Sequence, residues 1–287
     1  MVLCAAPGCL RKTYGHAKMA IVGAASERTS LMKSLLIAAF AMAGTSVAAQ
    51  DRTLGVTIGV GAQSKPTYFG SDTVETGVTG SFGLDRLTFG ALDIGGAQDP
   101  NGFGFKGGFR YIGERSADDD TALAGLADVD AALELGGGVA YKYLPDGTSQ
   151  NWGNYAFAEV RSGVLGHESV VAEVGADLFY APNANLDFRA GPRLFGAAGE
   201  YAGRYFGVTD EEAAASSFDA FDATGGLLSR GVEASVSYDF NSDWGVVGSV
   251  TYEEFLDDAA DSPIVQQGST DQVSLSVVVT RALEFNF

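Results

Sequence analysis

DQVSLSVVVTRALEFNF, residues 271–287, is the stretch whose reading decides the fold. Val273, Leu275, Val277, Val279, Leu283, Phe285 and Phe287 fall on one alternate set, while Gln272, Ser274, Ser276, Thr280, Glu284 and Asn286 fall on the other. Successive side chains of a strand point to opposite faces, so this is a strand with one apolar and one mostly polar surface. It is much longer than the roughly 5–6 residues usual in globular sheets. Arg281 interrupts the pattern by sharing the apolar set with Val279 and Leu283. If that face meets lipid, a midplane arginine costs about 2–4 kcal/mol. A β-bulge that changes the register near Arg281, or a guanidinium that snorkels to an interface, is therefore expected.

The upstream chain supplies more strands of the same kind. Leu54, Val56, Ile58, Val60 and Ala62 alternate with Gly55, Thr57, Gly59, Gly61 and Gln63. Phe103, Phe105, Phe109 and Tyr111 alternate with Gly104, Lys106, Gly108 and Arg110; Val170, Ala172, Val174, Ala176, Leu178 and Tyr180 with Glu173, Gly175 and Asp177. Similar alternation runs through 74–85, 133–143, 186–194, 232–240 and 244–252, and is blurred at Leu87–Ile94 and mixed at Trp152–Leu165. Turn chemistry separates the strands at Lys65–Asp72, Asp99–Gly102, Pro145–Gly147, Gly166–Glu168, Pro182–Asn185 and Asn241–Asp243. Three longer polar connections follow no period: Arg115–Asp128, Tyr205–Ser229 and the acidic Asp257–Gly268. Within the second, Asp210–Ser217 is rich enough in Ala and Glu for a helical turn or two.

The chain of 287 residues carries 18 basic and 36 acidic residues, for a net charge of −18. So acidic a protein is a poor partner for nucleic acid, whose phosphates need basic patches. Met32-Lys33, the apolar run Ser34–Ala43 and the small residues to Ala49 read as a secretory signal peptide over residues 32–49, cleaved after Ala49 or Ala48. Residues 1–31 read as an over-extended start, with Met32 the initiator. Both cysteines, Cys4 and Cys9, lie there, so no disulfide is expected in the mature chain; their spacing with His16 is not that of a zinc site.

Residues 50–287 therefore read as one all-β domain. No stretch is long and apolar enough for a membrane helix, and only a closed barrel satisfies strand backbone in lipid. Three features favour a transmembrane barrel over a soluble sandwich. The polar faces are charged, with Glu75, Lys106, Arg110, Glu134, Glu173, Asp177, Arg189, Arg193 and Glu233 suited to a wet lumen. Aromatics sit towards strand ends at Tyr143, Tyr180, Tyr238, Trp244, Tyr252 and Phe287, as in interfacial girdles. Tight turns also alternate with long loops. Eleven stretches alternate, whereas single-chain bacterial barrels have even strand numbers; about 12 strands of 9–11 residues fit the length, with ten as the fallback.

Five motifs occur in order: Pro66-x-Tyr68-x-Gly70-Ser71-Asp72; Asp128-Val129-Asp130-Ala131-Ala132-Leu133-Glu134-Leu135-Gly136-Gly137; Gly166-His167-Glu168; Tyr205-Phe206-Gly207-Val208-Thr209; and Asp258-Ala259-Ala260-Asp261-Ser262-Pro263-Ile264-Val265. Together they resemble the MipA/OmpV family of outer-membrane proteins, named for the MltA-interacting protein. The resemblance covers nearly all of 51–287. Ser216–Asp222 departs from the family's Ser-Gly-x-x-x-Tyr pattern, with Phe218 and Phe221 loosely in its place. The resemblance implies a closed antiparallel barrel in the bacterial outer membrane, with Phe287 as the assembly signal. It also implies a non-enzymatic role as a scaffold or interaction protein, with murein hydrolase or synthase partners. A narrow channel for small solutes is the alternative.

Residue chemistry adds little to set against this. His167 lacks a surrounding nucleophile motif and reads as a turn residue rather than a base. Asp118-Asp119-Asp120 and Asp257-Asp258-Asp261 offer carboxylates of the kind calcium takes, but neither matches an EF-hand loop, and a solvated loop is the expectation. Gly136-Gly137-Gly138 has no following Lys-Ser/Thr and reads as strand glycine that makes room in a crowded barrel. No cofactor or metal is expected.

Overall fold

Each alternating stretch folds as a strand. In chain order they are β1 (Arg52–Pro66), β2 (Val74–Phe89), β3 (Leu92–Gly95), β4 (Gly102–Ile112), β5 (Ala132–Tyr143), β6 (Trp152–Leu165), β7 (Val170–Asn183), β8 (Leu186–Ala197), β9 (Gly226–Asp239), β10 (Trp244–Phe255) and β11 (Asp271–Asn286). The computed structural model describes residues 52–89, 92–95, 101–117, 120–145 and 151–287. The expected signal peptide and over-extended start, Asp99-Pro100, Asp118-Asp119 and Asp146-Gly147 lie outside the described residues.

All pairings are antiparallel, in the order β3-β2-β1-β11-β10-β9-β8-β7-β6-β5-β4. The first strand thus pairs with the last, Thr53 opposite Asn286 and Ser64 opposite Leu275. The sheet curls until β4 returns beside β2, where a Cβ on Gly107 would lie 3.3 Å from the Leu84 nitrogen. No ladder joins β2 to β4 among the described residues, so the barrel is nearly closed. Ten long strands form its wall, and β3 is a four-residue addition to β2. This corrects the expected twelve. The long strands run to 11–16 residues, beyond the 9–11 expected, and the longest connections fold into helices rather than further wall.

The outward face is apolar: Val78 is 72% exposed, Leu178 62% and Val277 57%. Tyr141, Tyr143, Trp152, Tyr180, Tyr238, Trp244 and Phe287 ring one end, the end with the short turns and both ends of the barrel chain. A surface like this needs lipid, since soluble monomers rarely expose a continuous apolar belt. Strand β6 looked mixed in phase because its inward set carries Tyr155 and Phe157 beside Glu159 and Arg161, while Val160 and Val164 face out. Where Gly136 and Gly138 stand, a Cβ would meet the Val160 and Ala158 carbonyl oxygens at 2.0 Å, so these glycines admit close approach of β6.

The register change expected near Arg281 does not occur. Both ladders run through it unbroken, with Ile58 on one side and Trp244 on the other. Its guanidinium lies over the Trp244 ring at 5.1 Å, in the aromatic girdle. A cation at the interface is inexpensive, and the ring face attracts it. Bulges fall elsewhere. Asp85 is the extra residue of β2 opposite Gly55 and Val56. Leu228 is the extra residue of β9 and turns into the interior, where it is fully buried.

Candidate functional site: a charged lumen under an apolar cap

The inward faces of β4 to β9 bring opposite charges together at mid-height. Lys106 pairs with Glu159, which also pairs with Arg161. Arg161 reaches Glu134 at 3.0 Å and Glu173 at 3.1 Å. Arg193 then binds Asp177 at 2.6 Å and Glu233 at 3.4 Å. The result is a belt of three cations and five carboxylates spanning the lumen. Glu134, Glu159 and Arg161 are all buried. Low dielectric strengthens each pair while making any unpaired member costly. Phe157 adds a ring under Lys106 and Arg193, with centroid distances of 4.6 and 5.2 Å.

The long connections close the barrel's other end. Helix α1 (Gly199–Phe206) puts Tyr201, Ala202, Tyr205 and Phe206 into the mouth. Helices α2 (Asp210–Ala215), α3 (Asp257–Asp261) and α4 (Pro263–Gln266) complete the cap, with Ala259, Ile264 and Val265 wholly buried. Phe69, from the loop after β1, meets Tyr205 edge-on at 5.2 Å and stacks on Phe206 at 5.7 Å. Burial of each large apolar side chain contributes about 1.5–3 kcal/mol. Backbone details fit this packing. Gly70 has φ +98°, and a Cβ there would lie 2.6 Å from the Val265 Cα. The Ser262 hydroxyl donates to the Phe206 carbonyl at 2.6 Å and accepts from the Ile264 N–H.

Electrostatics in the cap follow from burial and capping. Burial pushes the Tyr201 phenol well up and the Tyr205 phenol to about 12. Burial also pulls Arg115 down. For Glu212 burial acts upward, but N–H donation from Thr209 and Ala127 outweighs it and holds the carboxyl low. Asp258 is held low by the hydroxyl and N–H of Thr224.

The family-motif residues, scattered over two hundred positions, converge on this cap. Pro66 ends β1, Tyr68 and Ser71 are buried beneath it, and Asp72 is exposed at its rim. Gly166, His167 and Glu168 form the β6–β7 turn; His167 is buried, Glu168 exposed. Tyr205, Phe206 and Gly207 end α1, while Asp258, Asp261, Ser262 and Pro263 build α3 and the start of α4. Of the charges expected in the lumen, Lys106, Glu134, Glu173, Asp177, Arg193 and Glu233 meet in the belt. Arg110 lies above it towards the cap, and Arg189 lies at the turn end with Asp187 at 2.6 Å. Phe287 follows β11 at the turn end, its N–H bonded to the Arg52 carbonyl. Sequence reasoning did not find Glu159 and Arg161, because the inward aromatics of β6 hid the phase, nor Tyr201, whose helix has no strand period.

His167 shows what the arrangement does chemically. Its Nε2 lies 3.2 Å from Glu134, its Nδ1 accepts from the Ser169 N–H at 3.3 Å, and its ring meets Tyr201 edge-on. Both nitrogens are engaged and neither touches a hydroxyl, so the residue ties the turn to the belt. Two cavities flank that belt. One of about 340 Å³ lies under the cap; one of about 900 Å³ opens among Asp85, Asp239, Asp243 and Glu284 at the turn end.

Among curated proteins none matches the chain. Solved structures with a similar arrangement include OprB of Pseudomonas putida, at 14% identity and TM-score 0.32, covering 64% of this chain and 45% of that one. The COG4313 outer membrane channel from Pseudomonas putida F1 is 11% identical with TM-score 0.37, covering 84% and 98%. Ail, the attachment invasion locus protein of Yersinia pestis, is 11% identical with TM-score 0.27, covering 81% and 99%. Likenesses this distant decide nothing about function. The family model described as MltA-interacting protein MipA, however, matches residues 58–282, across all ten long strands and every motif loop. This chain belongs to the MltA-interacting protein MipA family.

Proposed function

We propose that this protein is a non-enzymatic outer-membrane barrel that serves as a scaffold for murein-remodelling partners, with its short-turn end as the docking face. The cap carries the reading. A lumen crossed by ion pairs and shut by a packed apolar plug makes a rigid body rather than an open pore. The apolar belt and girdle support a lipid location. Outer-membrane barrels direct short turns to the periplasm and longer loops outward. That rule puts Asn185, Asn241, Ser242 and the acidic mouth on the murein side, and the family's name supports a lytic transglycosylase as partner.

A narrow channel is the second reading, favoured by the two cavities on either side of the belt. Photo-cross-linkers at Ser242 and at Asp219, on opposite ends, separate the two in intact envelopes. Capture of a transglycosylase from Ser242 and not from Asp219 supports docking at the turns. No capture at Ser242, together with stable unit conductance in planar bilayers that Lys106→Ala alters, sinks the scaffold reading. Recovery of the chain in the soluble periplasmic fraction, without heat-modifiable migration on gels, would remove the membrane location itself.

A further inference from the structure

We propose that the cavity beneath the cap is a binding site for a small organic carboxylate. This goes beyond a scaffold role and stands whether the barrel docks partners or conducts. The cavity holds about 340 Å³ and has basic side chains from several elements on its wall. Most of these are paired: Arg193 with Asp177, Arg230 with Glu254 at 2.8 Å, and Lys65 with Glu75 at 3.8 Å. Arg110 and Arg115 differ. Among the described residues neither takes part in an ion pair, although both line the cavity.

Arg110 lies over the rings of Phe195 and Phe69, at 4.9 and 5.7 Å. A ring face attracts the flat cation but leaves its in-plane N–H donors free for an acceptor. Arg115 donates from Nη1 to the Tyr205 carbonyl at 3.2 Å, while its buried Nε has no partner. The Tyr205 hydroxyl on the same wall is also buried and partnerless. The Lys65 ammonium lies 3.0 Å from where a Cβ on Gly113 would be, between the two arginines in the chain. Two guanidiniums outside any ion pair among the described residues, with unmet donors beside them, thus gather around one cavity. Leaving such groups unsatisfied is costly, and an anion satisfies them together.

The rest of the wall selects the kind of anion. Glu173, Glu233 and Glu253 also line the cavity and repel a dianion. A planar monoanion with two oxygens matches the guanidinium fork. The rings of Phe69, Phe195 and Tyr205 offer apolar surface to a hydrocarbon body. The volume lies at the small end of ligand pockets, which run to about 300–1,000 Å³.

The test is calorimetric titration of the full chain, purified in detergent, with sodium benzoate, benzamide and sodium phosphate. Benzoate is expected to bind and benzamide not to. Arg110→Gln is expected to weaken benzoate by about ten- to a hundredfold, the scale of one charge-assisted hydrogen bond, and Arg110→Lys to recover part of the loss. Heat-modifiable migration shows whether each variant is folded, and Tyr205→Phe, which removes only the unpartnered hydroxyl, serves as a second variant expected to weaken benzoate several-fold. Benzamide binding as well as benzoate, phosphate binding more tightly than benzoate, or unchanged benzoate affinity in folded Arg110→Gln would each overturn the proposal.

Discussion

Arg161→Met tests whether the lumen belt is held by charge. The guanidinium touches three carboxylates: Glu134 at 3.0 Å, Glu173 at 3.1 Å, and Glu159. Glu159 keeps Lys106 after the substitution. Glu134, with no solvent exposure at all, keeps only the ring of His167 at 3.2 Å. Breaking a buried pair so that one charge is stranded costs about 3–5 kcal/mol. Glu134→Gln removes a carboxylate from a belt that has an excess of them and leaves Arg161 two partners, so its expected cost is lower, about 1.5–3 kcal/mol for one charge-assisted hydrogen bond. The decisive variant is the double one. Once Arg161 is gone, Glu134→Gln removes the stranded charge and should restore stability rather than lower it further, a coupling of opposite sign to simple addition. Urea unfolding in lipid vesicles, followed by tryptophan emission and heat-modifiable migration, gives the four stabilities. A double variant less stable than Arg161→Met would refute the electrostatic account, as would a larger loss for Glu134→Gln than for Arg161→Met.

Other substitutions probe the cap and the girdle. Gly70→Ala combines a positive φ with a contact of 2.6 Å to the Val265 backbone; the φ alone costs about 1–2 kcal/mol, so limited proteolysis should cut its loops faster than those of the parent. Arg281→Ala should cost under about 1 kcal/mol, because the charge sits in the girdle against Trp244 rather than at the midplane; a gain of several kcal/mol in urea would mean that lipid covers it. The cap should also respond to pH at both extremes. The raised Tyr205 phenol contributes stability that is complete below its unfolded value of 10 and is lost as pH rises through about 12. Loop proteolysis should therefore increase over that window, less steeply in Tyr205→Phe. The lowered Glu212 carboxyl acts in the opposite direction: its contribution is present above the ordinary glutamate value and lost as pH falls through the lower folded one, so Glu212→Gln should flatten the acid limb.

What was legible in the sequence is what has a period. Lipid demands an apolar residue at every second position, so Val170 to Tyr180 and Val273 to Val279 announced their outward faces without any tertiary information. A closed barrel also requires its first and last strands to meet, as β1 and β11 do. The strand number was not legible, because alternation says nothing about how far each strand extends beyond the membrane. Nor was the meaning of Arg281: its neighbour across the ladder, Trp244, is 37 positions away and visible only in the register. The belt was half legible. Glu134, Glu173, Asp177 and Arg193 stand on clean polar faces, whereas Glu159 and Arg161 share theirs with Tyr155 and Phe157. The motif loops were noticed for their order, but nothing local in Tyr68 or Ile264 says that they share one apolar cluster.

The cap escaped the sequence because the barrel moves its apolar packing to an unusual place. In a water-soluble sheet the alternating apolar set is the core; here lipid takes that set, and the inward set is charged. The clustered apolar contacts of the protein are therefore left to the connections, which hold Phe206, Ala259 and Val265 against Phe69 and Phe255, and Ile264 against Tyr68 and Leu123 in a second cluster. Wall and cap are then stabilised by different forces: ladder hydrogen bonds protected by lipid in one, apolar burial against water in the other. They should open separately. Hydrogen exchange in lipid vesicles is expected to release the amides of α1 and α4 at low denaturant while those of β6 to β11 stay protected, with the gap widening as temperature falls and apolar burial weakens. Simultaneous exchange of cap and wall at every denaturant concentration would show instead that the belt, through Glu134 and His167, locks the two into one cooperative unit.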